Sequence, residues 1–322
     1  RHCQSKYGGK HWRNKPDHKI GNAVNDQERR FLNTSTSDSL YCFFGDSFVR
    51  MFGLVRNPKI RVKAFKGATC RGLCKKANVH RDNIMRRLAA NPDTKMAIFG
   101  FGNVDVHFSY YYNLHGKAMP QHIDFESIAR DYVDFVASVP GGRGMRRGVL
   151  AVYPSSINRD EKVPMCLEKY GILTKDQAKA VSANDCKLSV RQGRVKKFNA
   201  HLARFCHKHS IEFFNLFDKL VDSKTLILHN RYLDISELNI HVIWESTLLL
   251  WLRELRFLKN YISTDFEAQL QKSLSKYIQV KRYDFSNKGL QIKRLHPSEI
   301  TTAGVDLRCS LSHVSSVSNE GE

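Results

Sequence analysis

Five short apolar or β-branched runs recur from Leu40 onward: LYCFF, IRVKAF, KMAIFGF, GVLAVYP and IEFFNLF. Longer stretches separate them, with apolar residues returning at helical spacing over roughly 48–54, 82–90, 125–138, 190–208 and 242–261. A strand followed by a helix rejoins the same sheet in parallel, with the helix crossing one face. The pattern therefore predicts an α/β chain: a mainly parallel five-stranded sheet covered by helices on both faces. In such sheets ligands bind beyond the carboxyl ends of the strands, where strand order reverses, so the chemistry is expected at those ends.

The flanks break the pattern. Residues 1–38 are polar, rich in Lys, Arg, His, Asn and Ser, and lack apolar periodicity, which predicts a basic disordered arm. The main domain is expected over 39–263. Residues 264–322 read as an extension, a helix and a hairpin that run into a disordered Ser-rich tail. Arg rather than Met stands first, which fits a processed or incomplete N-terminus. The most apolar stretch, STLLLWL, is bracketed by Glu245 and by Arg253 and Glu254. No run approaches the ~20 apolar residues of a membrane-spanning helix, so this one reads as a buried helix.

The formal net charge of +21 is unevenly spread, with twelve Lys or Arg and one acid, Asp82, between positions 50 and 90. Such a segment attracts anions, whether nucleic acid, acidic glycan, phosphorylated substrate or an acidic protein face. A solvated basic surface without a partner accounts for the same residues. The stretch SVRQGRVKKFNAHLARFCHKH adds a basic helix suited to an anionic polymer such as RNA, although no recognised nucleic-acid motif accompanies it. Eight cysteines are scattered without a disulfide framework, which makes free thiols the default and favours an intracellular setting. Cys70 and Cys74 with the CHKH at 206–209 could be drawn as zinc ligands, but that spacing is a weak pattern. Neither a metal nor a cofactor is expected.

The strand ends carry the candidate chemistry. The first run closes on Gly45-Asp46-Ser47. A serine at a helix start either caps the helix or lays its hydroxyl beside free backbone N–H groups that can hold an oxyanion. The second run ends in AFKGATCRGL, where Gly67 or Gly72 could offer a further N–H, and where Lys66 and Arg71 flank the loop as candidate contacts to an anionic substrate. The third ends in FGFGNVDVHF, crowding Gly102, Asn103, Asp105 and His107 against an apolar strand. Late in the chain, His241 precedes the last long helix. A serine hydroxyl needs a base to become a nucleophile, and histidine suits that task.

These blocks carry a resemblance. FFGDSFVRMF resembles the first block of the SGNH, or GDSL-type, hydrolases, FGNVDVH their third and LDISELNIH their last, over residues 41–261. The resemblance implies a flavodoxin-like three-layer sandwich and esterase or acyltransferase chemistry on O-acyl groups of a polar, carbohydrate or anionic small molecule. It makes Ser47 the nucleophile and His241 the base and later the acid. The N–H groups of Ser47 and Gly67 would line the oxyanion hole, and Asp46, Asp105 and His107 would border the substrate.

The chain departs from the family pattern twice. Val104 stands where the oxyanion asparagine belongs, leaving Asn103, one position early, as the nearby amide. Leu238 stands where the acid of the last block belongs, leaving Asp234, the preferred choice, or Glu237 to orient the imidazole. The alternative reading keeps the fold and discards the catalysis: a degenerate binding or scaffold subunit with an anionic partner.

Overall fold

The computed structural model describes residues 40–55, 57–234 and 238–275. The expected basic arm, the hairpin and tail of the extension, and Glu237 lie outside them. All five apolar runs form strands: β1 (Tyr41–Gly45), β2 (Ile60–Ala64), β3 (Met96–Gly100), β4 (Arg146–Leu150) and β5 (Glu212–Phe214). They pair in the order β2-β1-β3-β4-β5, and every pairing is parallel. This is the flavodoxin-like order, in which the connection reverses direction between β1 and β3.

The three layers follow from the pleat. Adjacent residues on a strand point to opposite faces, and Phe43 and Phe44 of β1 are both fully buried. Phe43 stacks on Phe52 at 4.2 Å, and Phe52 meets Trp251 at 6.0 Å. Phe44 instead stacks on Phe99 at 5.6 Å, and Phe99 meets Phe135 edge-on at 6.4 Å. One face is therefore covered by the segments Ser47–Val55 and Trp244–Glu254, the other by Phe125–Ser138 and its neighbour Leu188–Lys208. Each such ring, taken from water into the core, contributes about 1.5–3 kcal/mol. Burial on both faces is also why β1 and β3 read as unbroken apolar runs.

Local winding differs from the expected pattern in two places that border the site. Ser47–Val55 is a 3-10 helix rather than an α-helix. Its first turn is set by Asp46, whose carbonyl accepts the Val49 N–H at 3.4 Å and whose carboxylate accepts the Phe48 N–H at 3.0 Å. After β3, the polar stretch winds as two short π-helices, Asp105–Ser109 and Tyr112–Gly116. The last long helix is Trp244–Glu254, followed by a 3-10 turn over Arg256–Tyr261. Residues 266–275 are helical and bury Phe266 and Leu270 in the same core.

Candidate active site

The switch point brings the ends of β1 and β3 together at close quarters. Gly45 and Gly100 are register partners, and a Cβ built on Gly45 would lie 2.4 Å from the Gly100 carbonyl oxygen and 2.2 Å from Val49 Cγ1. Only a glycine lets the two strand ends and the following helix approach this far. Asp46, fully buried, then ties them: its N–H donates to the Gly100 carbonyl at 3.0 Å, and its carboxylate accepts the Asn103 N–H and Nδ2, each at 3.2 Å. Desolvation pushes the Asp46 carboxyl up to about 7, against the pull of the Phe48 and Asn103 donors.

Because Asp46 takes the capping role, the Ser47 hydroxyl is left for another partner. Its Oγ lies 2.7 Å from His241 Nε2, across a sequence separation of 194 residues. His241 Nδ1 faces the Oδ1 of Asn239 at 2.9 Å. That carbonyl oxygen also accepts the His241 N–H at 3.0 Å and the Tyr170 hydroxyl at 2.9 Å. The Asn239 Nδ2 donates to Asp234 Oδ2 at 3.0 Å. Two donors on one side, the His241 N–H and the Tyr170 hydroxyl, and a carboxylate on the other fix which end of the amide faces the ring. An amide oxygen only accepts, so Nδ1 carries the proton and Nε2 presents its lone pair to Ser47.

The imidazole stacks on Phe48 with ring centroids 4.6 Å apart. Burial is the main reason its pKa is drawn down to about 4; the Arg50 charge adds to this, Asp234 opposes it and Lys66 reinforces it. His241 is therefore neutral, and able to accept a proton, at ordinary pH.

Other expected residues take different places. Gly67 sits at φ +74° in a turn closed by the Ala68 N–H on the Phe65 carbonyl at 3.0 Å, which is the glycine position of a type II turn. Neither the Ser47 nor the Gly67 N–H has a hydrogen-bond partner among the described residues. Gly72 is different: its N–H donates to Thr69 Oγ1 at 2.8 Å, capping the short helix Cys70–Leu73.

Asn103, expected as an oxyanion donor, has its Nδ2 turned to Asp46, while its Oδ1 accepts the Tyr153 N–H at 3.0 Å. It thus braces the ends of β1, β3 and β4. Asp105 is also buried; it accepts the Cys70 N–H at 2.7 Å and the Arg71 N–H at 3.4 Å, holding the loop after β2 in place. Desolvation raises its pKa to about 6. His107 meets the Tyr153 carbonyl through Nε2 at 3.0 Å, and Arg71 is exposed on its helix. Cys74 Sγ donates to the Cys70 carbonyl, and among the described residues no group of three metal-ligating side chains gathers.

Asp234, expected to orient the imidazole, stands one residue further back, with Asn239 interposed. The reason is spacing: Leu238 points its backbone carbonyl at Lys169 Nζ, 3.1 Å away, and the next residue, Asn239, reaches the ring. Sequence reasoning missed Asn239 and Tyr170. The signal was present in LNIH, an amide two residues before the histidine, but Tyr170 is placed by a segment that no motif marks.

No family model matches the chain, and no curated protein matches it. It is similar to solved structures of low identity. A GDSL-like lipase from Bacteroides thetaiotaomicron shares 10% identity at a TM-score of 0.42, covering 80% of this chain and 98% of that one. A carbohydrate acetylesterase from Sinorhizobium meliloti shares 13% at 0.39, over 73% and 98%. An aryl esterase from M. smegmatis shares 11% at 0.37, over 67% and 99%. Likeness at this level carries no weight for function, and the flavodoxin-like assignment rests on strand order and direction.

Proposed function

We propose that the chain is an SGNH-type serine hydrolase or acyltransferase that acts on O-acyl esters of a polar, anionic small molecule. The observation that carries this reading is the 2.7 Å contact between Ser47 Oγ and His241 Nε2, with Nδ1 held by Asn239. A nucleophile, a base and an orienting acceptor in series are the parts that acyl transfer needs.

In the first half-reaction, Ser47 Oγ attacks the acyl carbon as its proton passes to His241 Nε2. The carbonyl oxygen gains the negative charge and is held by the Ser47 and Gly67 N–H groups. Collapse expels the alcohol oxygen, which takes the proton from His241, and leaves the acyl group on Ser47. Water, or a second alcohol in a transferase, then attacks with His241 as base and regenerates Ser47. With Asn103 turned to Asp46, two backbone donors carry the oxyanion; a third donor would be worth about 3 kcal/mol, so a slow enzyme is expected. Arg50 and Lys66, whose charges reach His241, favour an anionic substrate.

The test is labelling by a fluorophosphonate probe, with Ser47→Ala as control, followed by turnover of 4-nitrophenyl acetate. Folded protein that neither labels nor turns over would sink this reading. It would leave a second one, a catalytically silent binding subunit, which the diverted Asn103 amide favours.

A further inference from the structure

The 3-10 helix that begins at Ser47 buries every residue as far as Val55 except Arg50 and Leu54. Side chains at i and i+3 eclipse in such a helix, so Arg50 stands in line with Ser47, ~6 Å further along the axis. It is half-buried, between the buried Val49 and Met51. Among the described residues its guanidinium donates to no acceptor and pairs with no carboxylate. Asp46, the nearest acid in the sequence, is already occupied by the Phe48 and Asn103 donors.

A cation at this place works against acyl transfer. The charged and titratable groups around the His241 ring are Arg50 on the 3-10 helix, Lys66 in the loop after β2, His107 after β3, and Asp234 and Tyr170 behind Asn239. Of the charges, that of Arg50 weighs most on the ring. When Ser47 gives its proton to Nε2 the imidazole becomes a cation, and a neighbouring guanidinium repels it. An anion held on Arg50 would cancel that repulsion. The planar fork of a guanidinium with unused N–H groups fits the planar carboxylate in two parallel bonds.

We propose that Arg50 anchors a carboxylate that the substrate carries within a few bonds of its ester, and that the anion so held shields His241 from the guanidinium. The ~6 Å offset of Arg50 from Ser47 sets that length. The carboxylate thus serves twice, in selecting the substrate and in favouring the imidazolium that forms as Ser47 attacks. This inference rests on the hydrolase reading, so its test is an equilibrium one that does not depend on turnover.

The Ser47→Ala protein is titrated by calorimetry with monobenzyl succinate, which bears its carboxylate on the acyl side, and with 3-acetoxybenzoate, which bears it on the alcohol side. Benzyl butanoate and phenyl acetate are the neutral counterparts. At least one anionic ester should bind about fivefold or more tightly than its counterpart, the size of a partly exposed ion pair. The preferred one tells on which side the substrate is charged. Arg50→Gln should abolish the preference. Where the Gln variant does not fold, Arg50→Lys serves, since an ammonium cannot reproduce the fork, and the preference should drop at least about twofold. In NMR titrations of the Ser47→Ala protein, the His241 ring should be more basic with the preferred ester bound than with its neutral counterpart. Equal binding within both pairs, a preference that survives Arg50→Gln, or a bound anion that leaves the ring unmoved overturns the proposal. Fluorophosphonate labelling of the unsubstituted chain decides the catalytic reading separately.

Discussion

Asn239 presents its side-chain oxygen to His241 Nδ1 at 2.9 Å while its Nδ2 turns to Asp234 at 3.0 Å, so a neutral amide stands between the imidazole and the carboxylate. The arrangement orients the ring as an acid would. It stabilises the imidazolium less, because the charge of Asp234 acts from one residue further away.

Removing the amide should therefore cost orientation. Asn239→Ala should lower kcat by up to about 10⁴-fold, the loss that follows when a catalytic histidine takes the wrong tautomer. Tyr170→Phe, which removes one of the donors that set the amide, should lower it by less. Fluorophosphonate labelling rates on protein with unaltered melting behaviour provide the measurement. Full activity in Asn239→Ala would mean that another group orients His241.

The pH profile should have an unusual acid limb. A base must be unprotonated to accept the Ser47 proton, and His241 is held at about 4. Accordingly kcat/KM should rise through pH 4 or so and be level well below 6.5, the ordinary histidine value. Arg50→Gln removes a cation that lowers this pKa, so its limb should move to higher pH. A limb near 6.5 in the parent chain would remove the case for a desolvated base.

Gly45 should tolerate no side chain. The Gly45→Ala methyl would sit 2.4 Å from the Gly100 carbonyl oxygen, which belongs to the backbone of a central strand and cannot swing aside. We expect a loss of about 1–3 kcal/mol or more from overpacking, read by urea unfolding. In the fraction that folds, labelling of Ser47 should be slower, because the turn that presents it is displaced.

Asp105 should leave a mark on stability against pH. Its folded pKa, about 6, is raised above the ordinary 3.8, so between these values the folded chain keeps a proton that the unfolded chain has lost. Stability from this group is thus present at low pH and lost as pH rises through that window. Asp105→Asn gives up one acceptor, at a cost of about 1 kcal/mol, but does not titrate. The variant should be at its greatest disadvantage near pH 4 and should gain on the parent by pH 7. Parallel stability curves would contradict the buried, raised carboxyl.

The strands were legible in the sequence because a sheet buried on both faces must be apolar at successive positions, and the runs ending at Gly45 and Gly100 are. Ser47 was legible because it follows such an end, and His241 because a serine there calls for an imidazole; the 2.7 Å contact brings the two together. Asn103 was not read correctly, since its side-chain direction depends on Asp46 and Tyr153 meeting it from two other strands. Nor was Arg194. The helix it belongs to reads as basic along its length, yet Arg191, Gln192, Arg194 and Asn199 all turn inward and are buried. Arg191, Gln192 and Asn199 find polar partners in the segment after β4, and Arg194 finds the Val106 carbonyl and the Tyr110 ring after β3, none of which charge counting registers. Asn239 was missed because acid-to-histidine spacing was sought, and an amide at a shorter spacing meets the same geometric need.

The loop bearing His241 hangs from elsewhere in the chain. Ser156 grips the Asn239 carbonyl, Lys169 the Leu238 carbonyl and Tyr170 the Asn239 side chain. The span between β4 and the long helix at Leu188 thus holds the His241 loop in place. Anyone trimming or grafting that excursion to alter selectivity should expect turnover to change with it, because the same tethers keep the imidazole aimed.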